Sequence, residues 1–373
     1  MNKVLPFAIL FFIIIFIPMA CLEDPVSPEK IYTATEITDL EMKVDTIKFT
    51  IPAEVKHFPY RIHSKNYDRP EIFCGYQRKG NRINIFDLGE RKIKKSINLD
   101  THGPNSFSFL DLTSVLYKNN DSIFIMDRNS IALIDGEGEV RKRILIREHG
   151  FERVFPGLKW YSTMNNGQAC FYHEDKLYFA TRPFDRNVRD STLMGYYDFK
   201  RDRFSKLPIY FPEEYKEANY GWHNAIQFTY FDEKLIVNFP IMPDVFIYDL
   251  EGNLLRRVSI ESNKLGRCRP LEVERPSPEE GLEFIRSNPN YAGIMPINNG
   301  NYFVMPGIKP IPENPSPDDN IRFCVIFDRD FEHYYYWKEG GTPFGQGGPY
   351  FYQHDSDLTG NYEQYLERWW VGD

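Results

Sequence analysis

Ile83-Asn-Ile-Phe-Asp87-Leu-Gly-Glu-Arg-Lys-Ile93 reads as a short strand, a turn led by Asp87, and a second strand that begins near Ile93. The same grammar returns at Ile131-Ala-Leu-Ile-Asp135-Gly-Glu-Gly, Met194-Gly-Tyr-Tyr-Asp198-Phe-Lys-Arg-Asp, Val245-Phe-Ile-Tyr-Asp249-Leu-Glu-Gly-Asn and Val325-Ile-Phe-Asp328-Arg-Asp. In each copy, β-branched or aromatic residues suited to a half-buried pleated surface precede a turn that favours Asp and Gly. One hairpin recurring along a chain marks a repeat architecture. The turn aspartates stand 48, 63, 51 and 79 residues apart. The shorter gaps match a four-stranded propeller blade of roughly 40–50 residues, and the longer ones hold loops and an insertion.

Working outward, strand-like runs near residues 60–62, 71–74, 83–86 and 92–99 make a first meander, and four further units follow along the chain. A sixth would combine strands of the tail with the early alternating strand near residues 44–51, closing the ring and hiding its edges. The expected fold is therefore all-β, a β-propeller of six blades, with seven blades as the alternative and an open sandwich or solenoid as a further one. Two helices are expected besides a possible helical turn at Pro212-Glu-Glu-Tyr-Lys-Glu. Ser277-Pro-Glu-Glu-Gly-Leu-Glu-Phe-Ile-Arg286 has an N-cap Ser, Pro at the first position and two Glu in the first turn. In the tail, Tyr362, Tyr365, Leu366, Trp369 and Trp370 fall at helical spacing, which predicts a C-terminal helix with one aromatic packing stripe.

The N-terminus carries an address. Lys3 supplies a positive start, residues 4–17 are almost wholly apolar, and Pro18-Met-Ala-Cys21 follows. That is the composition of a signal peptide; an uncleaved anchor is the alternative. The stretch resembles a bacterial lipoprotein signal, in which Cys follows a small residue and takes the lipid. Ala20-Cys21 fits, while Pro18 replaces the usual aliphatic residue three places before the Cys. Leu22-Glu-Asp24 resembles the acidic export signal of Bacteroidota lipoproteins, with a solvated linker as the plainer reading. The expected organisation is a signal peptide over 1–20, a lipidated tether over 21–40 kept extended by Pro25 and Pro28, and a single propeller over 41–373.

Bulk composition limits partners more than it names them. The 373 residues carry a net charge of −8, against the basic surface that nucleic acid requires. Aromatic residues make up 16 %, which suits half-buried strands. If Cys21 is lipidated, Cys74, Cys170, Cys268 and Cys324 remain, three of them in strand-like, aromatic-flanked settings that read as buried thiols. An oxidising compartment would allow a disulfide, but sequence does not set a pairing.

The lipoprotein start, the strand–Asp turn–strand units and the Gly103-Pro-Asn105 loop together resemble an uncharacterised Bacteroidota lipoprotein family, catalogued as a domain of unknown function and similar to six-bladed NHL-type propellers. The resemblance implies a fold and an address for nearly all of the mature chain, and no chemistry.

No catalytic motif stands out. The 8 His form neither His-x-x-x-His nor His-Glu-x-x-His, the Asp clusters lack EF-hand spacing, and a Gly-x-Ser-x-Gly elbow and a phosphate-binding loop are missing. No metal and no cofactor is expected. The candidate ligand-binding residues are polar or aromatic groups in loops beside strands: His102 and Asn105, Arg128, Arg182, and Trp222 with His223. The mix of Arg, indole, imidazole and amide suits an acidic glycan or a carboxylate-bearing peptide. The expected function is a non-catalytic binding or protein-interaction propeller, lipid-anchored at the bacterial outer membrane on its periplasmic or surface face. The alternatives are a propeller hydrolase or lyase acting on a glycan or lactone, and a subunit of a larger envelope assembly.

Overall fold

The computed structural model describes residues 31–372 apart from 51–61, 66–71, 78–79, 104, 108–111, 162–169, 184–190, 222, 274, 313–320, 339–342, 348–349 and 355–362. Cys21 lies outside the described residues. Six antiparallel sheets follow one another as the blades of a propeller. Blade 1 comprises Ile62–Lys65, Ile72–Gln77, Arg82–Asp87 and Lys92–Asn98. Blade 2 comprises Leu112–Asn119, Ser122–Asp127, Ser130–Ile134 and Val140–Leu145. Blade 3 has a first strand in two pieces, Leu158–Tyr161 and Cys170–His173, followed by Lys176–Pro183, Met194–Asp198 and Arg203–Leu207. Blade 4 comprises Gln227–Phe231, Lys234–Asn238, Val245–Tyr248 and Leu254–Ser259. Blade 5 again has a divided first strand, Asn290–Tyr291 and Met295–Ile297, before Tyr302–Ile308, Arg322–Asp328 and His333–Trp337. Blade 6 takes Pro343–Gly347, Tyr350–His354 and Glu363–Val371 from the tail and its outermost strand, Met42–Thr50, from the start of the chain. The first strands of blades 1 and 2, 2 and 3, and 5 and 6 approach one another, which places first strands around the axis.

The Asp-led turns join the third and fourth strands of blades 1 to 5. In all five the aspartate Oδ1 accepts backbone N–H groups ahead of it: Asp87 from Glu90 (2.9 Å), Asp135 from Glu137 (2.9 Å), Asp198 from Lys200 (3.0 Å), Asp249 from Glu251 (3.0 Å) and Asp328 from Glu332 (2.8 Å). The side chain replaces a backbone acceptor and holds the tight reversal that each hairpin needs.

Packing runs from blade to blade. Successive residues of a strand point to opposite faces, so the second strand of blade 2 sends Ile123 and Ile125 toward blade 1 and Phe124 and Met126 toward blade 3. Such strands are apolar on both faces and read as continuous hydrophobic runs. Among the described residues an apolar cluster fills every seam, including the closing one, where Ile47 and Tyr352 of blade 6 meet Phe73 and Phe86 of blade 1. A fully buried Phe contributes roughly 1.5–3 kcal/mol, so aromatic side chains such as Phe179, Phe228 and Phe303 carry much of the stability.

Two expectations change here. The expected tail helix is absent from its described part: Glu363–Val371 is a nine-residue strand paired along its length with Met42–Thr50. Spacing of 3 and 4 among Tyr and Trp fits a helix, but these residues also favour strands, and a strand flanked by two partners takes aromatics on both faces. Trp369 enters the seam with blade 5, its ring 4.4 Å from that of Trp337, while Trp370 packs edge-on to Tyr350. Residues 31–36, in the stretch expected to be tether, hold two short strands. Ile31–Thr33 runs parallel to the outermost strand of blade 4 and Thr35–Glu36 parallel to that of blade 5. The start of the chain thus passes along the rims of blades 4, 5 and 6 and covers two otherwise open edges.

The helix of the insertion is present as Pro278–Ser287, with Ser277 and Glu280 in a reciprocal capping box. The four described cysteines are free and buried. Trp369→Ala should lower unfolding stability by about 3–5 kcal/mol, as for other buried aromatics, and Trp370→Ala should cost distinctly less. Urea unfolding of both variants checks this; equal losses would remove Trp369 from the seam.

Candidate ligand-binding face

Antiparallel alternation sorts the connections onto two faces. Turns from first to second and from third to fourth strands lie on one, the Asp-turn face. Turns from second to third strands and the links between blades lie on the other, the linker face. By this alternation the loops carrying His102, Asn105, Arg128 and His223, and the strand end carrying Arg182, all belong to the linker face.

Within that face the residues separate. His102 is exposed, but its loop is fastened along the outside of blade 2: Asn105 Nδ2 donates to Glu139 (3.3 Å), and Arg143 of the outermost strand donates to the Ser106 carbonyl (3.0 Å) while covering Phe107. Asn105 therefore serves the rim rather than the axis. His223 is buried, its ring 5.5 Å from that of Phe284 on the insertion helix. Its Nε2 has no hydrogen-bond partner among the described residues, and burial pushes the imidazole down to about 4. A neutral, covered His223 is a packing residue and not part of an open site. Trp222 lies outside the described residues.

Arg128 and Arg182 do come together, around a residue that sequence reasoning missed. Lys159, on the first strand of blade 3, stands directly opposite Arg182 in the register. Burial first, and then the positive charges of Arg182 and Arg128, hold the Lys159 ammonium below its ordinary value. Arg128 reaches this point because Asp127 accepts from the N–H groups of Asn129 and Ser130 (both 2.7 Å), which fixes the turn. Three cationic side chains from two blades thus gather at one place. Lys159 falls in a stretch read from sequence as an irregular connection; the signal available was the alternation in Leu158-Lys-Trp-Tyr161.

Over blade 4 the same face carries a buried ion network. Asp244, wholly buried, accepts from Arg257 (2.8 Å) and Arg267 (2.5 Å), and Arg257 also binds Glu214 (2.5 Å) on the short helix Glu213–Glu217. Burial is the largest single influence on the Glu214 carboxyl and would raise it, but the hydrogen bond from Arg257, a backbone hydrogen bond and the charges of Arg257 and Arg267 together outweigh it, and the group sits below its ordinary value. The network ties the links on either side of blade 4 to its outermost strand. A hollow lined by Pro183, Tyr215 and Asn224 holds about 30 Å³, the volume of one water and too small for a ligand. No group of three or more His, Cys, Asp or Glu among the described residues is arranged to hold a metal.

The family model described as Domain of unknown function (DUF4221) matches residues 37–291. The fold is similar to that of a solved member of that family from Bacteroides vulgatus, with TM-score 0.70 and 14 % identity over 90 % of this chain and 99 % of the other. It is also similar to a solved protein from Bacteroides fragilis described as exported, with TM-score 0.56 and 10 % identity over 92 % of this chain and 100 % of the other. At these identities the likeness shows the fold. No curated protein matches the chain.

Because folding depresses the His223 pKa, the stability it supports is complete above the unfolded value of 6.5 and is lost as pH falls from there to about 4. At roughly 1.4 kcal/mol per pH unit, the loss over that range is about 3 kcal/mol. His223→Phe should flatten that part of the stability–pH curve, measured by urea unfolding at intervals from pH 7 to 4. An unchanged curve would place the His223 ring in water.

Proposed function

The chain belongs to the family described as Domain of unknown function (DUF4221), and from that premise we propose an extracytoplasmic binding propeller, lipid-anchored through Cys21 at the bacterial outer membrane, that takes a carboxylate-bearing ligand on its linker face. The observation that carries the binding role is the convergence of Arg128, Lys159 and Arg182. Arg grips a carboxylate with two parallel hydrogen bonds, and Lys adds a point charge that needs no fixed geometry. A rigid ring of blades holds such groups in place while its loops carry the specificity. Acidic glycans and peptides with exposed carboxylates are the ligands this chemistry suits.

The address rests on two supports. The apolar run ending in Ala20-Cys21 has the form of a lipoprotein signal. A relative of the same fold is described as exported. No described helix is long and apolar enough to cross a membrane. Glu214, the carboxylate that shares Arg257 with Asp244 on this face, is held in its charged form and so does not suit the role of a general acid, which needs its pKa raised.

Two measurements test the reading. Cys21→Ala should abolish fatty-acid labelling and release the protein from the membrane fraction; persistent labelling refutes the anchor. On an array of acidic and neutral glycans and peptides, binding should be confined to acidic members. Arg182→Ala and Lys159→Ala should each weaken it by about ten- to a hundredfold, the worth of a hydrogen bond to a charged group, with unchanged melting temperatures. Equal affinity in both variants would return these cations to a structural role.

A further inference from the structure

A second site lies on the other side of the molecule, in the seam between blades 4 and 5 near their Asp-turn ends. The cavity there measures about 320 Å³, within the range of small-molecule pockets. Its wall is aromatic. Phe303 of blade 5 stacks on Phe331 (centroids 4.7 Å, 29°), and Phe231 of blade 4 meets Phe303 edge-on (5.4 Å, 85°). Ile236 and Ile247 form the floor, and Leu255, 47 % exposed, stands at the mouth.

Two unusual backbone positions shape this wall. Phe331 has φ +56, a left-handed conformation that a bulky side chain rarely adopts. It turns inward from the turn after Asp328. Gly300, at φ +79, lies so close to the Phe231 ring that a Cβ there would come within 1.8 Å of its Cζ. Any other residue at 300 would displace Phe231 and alter the pocket. Strained positions of this kind persist where the surrounding structure holds them, and they cluster at ligand sites.

The polar groups at the mouth lean cationic. Arg329 and Asp232 face each other at 3.3 Å and balance. Arg256 is held by its Nη1 on the Asp330 carbonyl (2.5 Å) and by the Tyr32 ring 4.3 Å beneath its guanidinium. Its Nε is buried and has no hydrogen-bond partner among the described residues. A donor buried without an acceptor is costly, and here it borders a cavity that could supply one. Lys234 adds a further positive charge to the lining and Asp330 a second carboxylate, so three cations stand against two anions.

We propose that this pocket binds a small organic acid with an aromatic or branched apolar body, the body among the three Phe rings and the carboxylate on Arg256. The site is independent of the linker face and of the lipid anchor. Because Tyr32 belongs to the strand that follows the N-terminal segment, occupancy also secures that strand to blade 4.

The intact purified protein is titrated calorimetrically with 3-phenylpropionate, 4-methylpentanoate and the neutral 3-phenylpropan-1-ol, up to roughly 10 mM, where ligands of this size at ordinary efficiency register. The expected result is saturable binding of the acids, with the alcohol weaker by about tenfold or more. Arg256→Gln should erase the preference for the acid. Leu255→Trp, at an exposed position, should fill the mouth and abolish binding while the melting temperature stays put. Should Arg256→Gln fail to fold, Arg256→Lys keeps the charge without Nε and should still lose most of the preference. Equal affinity for acid and alcohol, binding undiminished by Leu255→Trp, or no saturation by either acid would each overturn the site.

Discussion

The ring stands on one pairing between residues more than three hundred positions apart: Met42–Thr50 against Glu363–Val371, nine residues on each side. Every other blade is built from consecutive strands, so each can form locally. Blade 6 cannot, because its outermost strand and its first three come from opposite ends of the chain. Bringing those ends together carries an entropic cost that grows only slowly with loop length, and the return is the closing seam, where Ile47 and Tyr352 join Phe73 and Phe86. The register is set by more than backbone. Asp45 and Arg368 stand opposite each other and bond through both carboxylate oxygens, Arg368 Nε at 2.8 Å. A slip of one residue would part them and turn Trp369 away from Trp337.

Closure explains why the rest of the rim needs separate protection. A propeller hides its inner edges around the axis, but each outermost strand still offers unpaired backbone. Over blades 4 and 5 the chain covers that backbone with its own first residues, Ile31–Thr33 and Thr35–Glu36, before entering blade 6. The same strands bring Tyr32 over Arg256 and Glu36 to Lys264. The N-terminal segment thus joins the ring at three blades in succession, and a tether ending there would pull on a surface braced by several strands.

The two faces carry different chemistry because they are built differently. The Asp-turn face is made of short reversals whose side chains are committed to local bonds, and its charges are laced in pairs such as Lys95–Glu137, Lys200–Asp175 and Arg329–Asp232. The linker face carries the long connections, and with them the buried Asp244 network and the gathering of Arg128, Lys159 and Arg182. Removing one partner from a buried network such as Asp244 with its two Arg would leave an uncompensated charge, so those groups are bound to structure.

What the sequence by itself determined is what short-range physics controls. An aspartate caps the turn a few residues ahead of it, so Asp87, Asp135, Asp198, Asp249 and Asp328 announced the hairpins and their repetition announced the propeller. Ser277 and Glu280 cap a helix they belong to, so the insertion was legible, while the burial of Phe284 beneath it was not. Only the tertiary structure decided the rest. The stripe from Tyr362 to Trp370 suits either period, and the strand at 42–50 chose between them by offering a partner. His223 looked like a loop residue until the insertion helix lay over it, and Lys159 gained meaning only when the register set it against Arg182. Burial and partnership between distant segments are properties of the assembled ring, and no local window of the chain contains them.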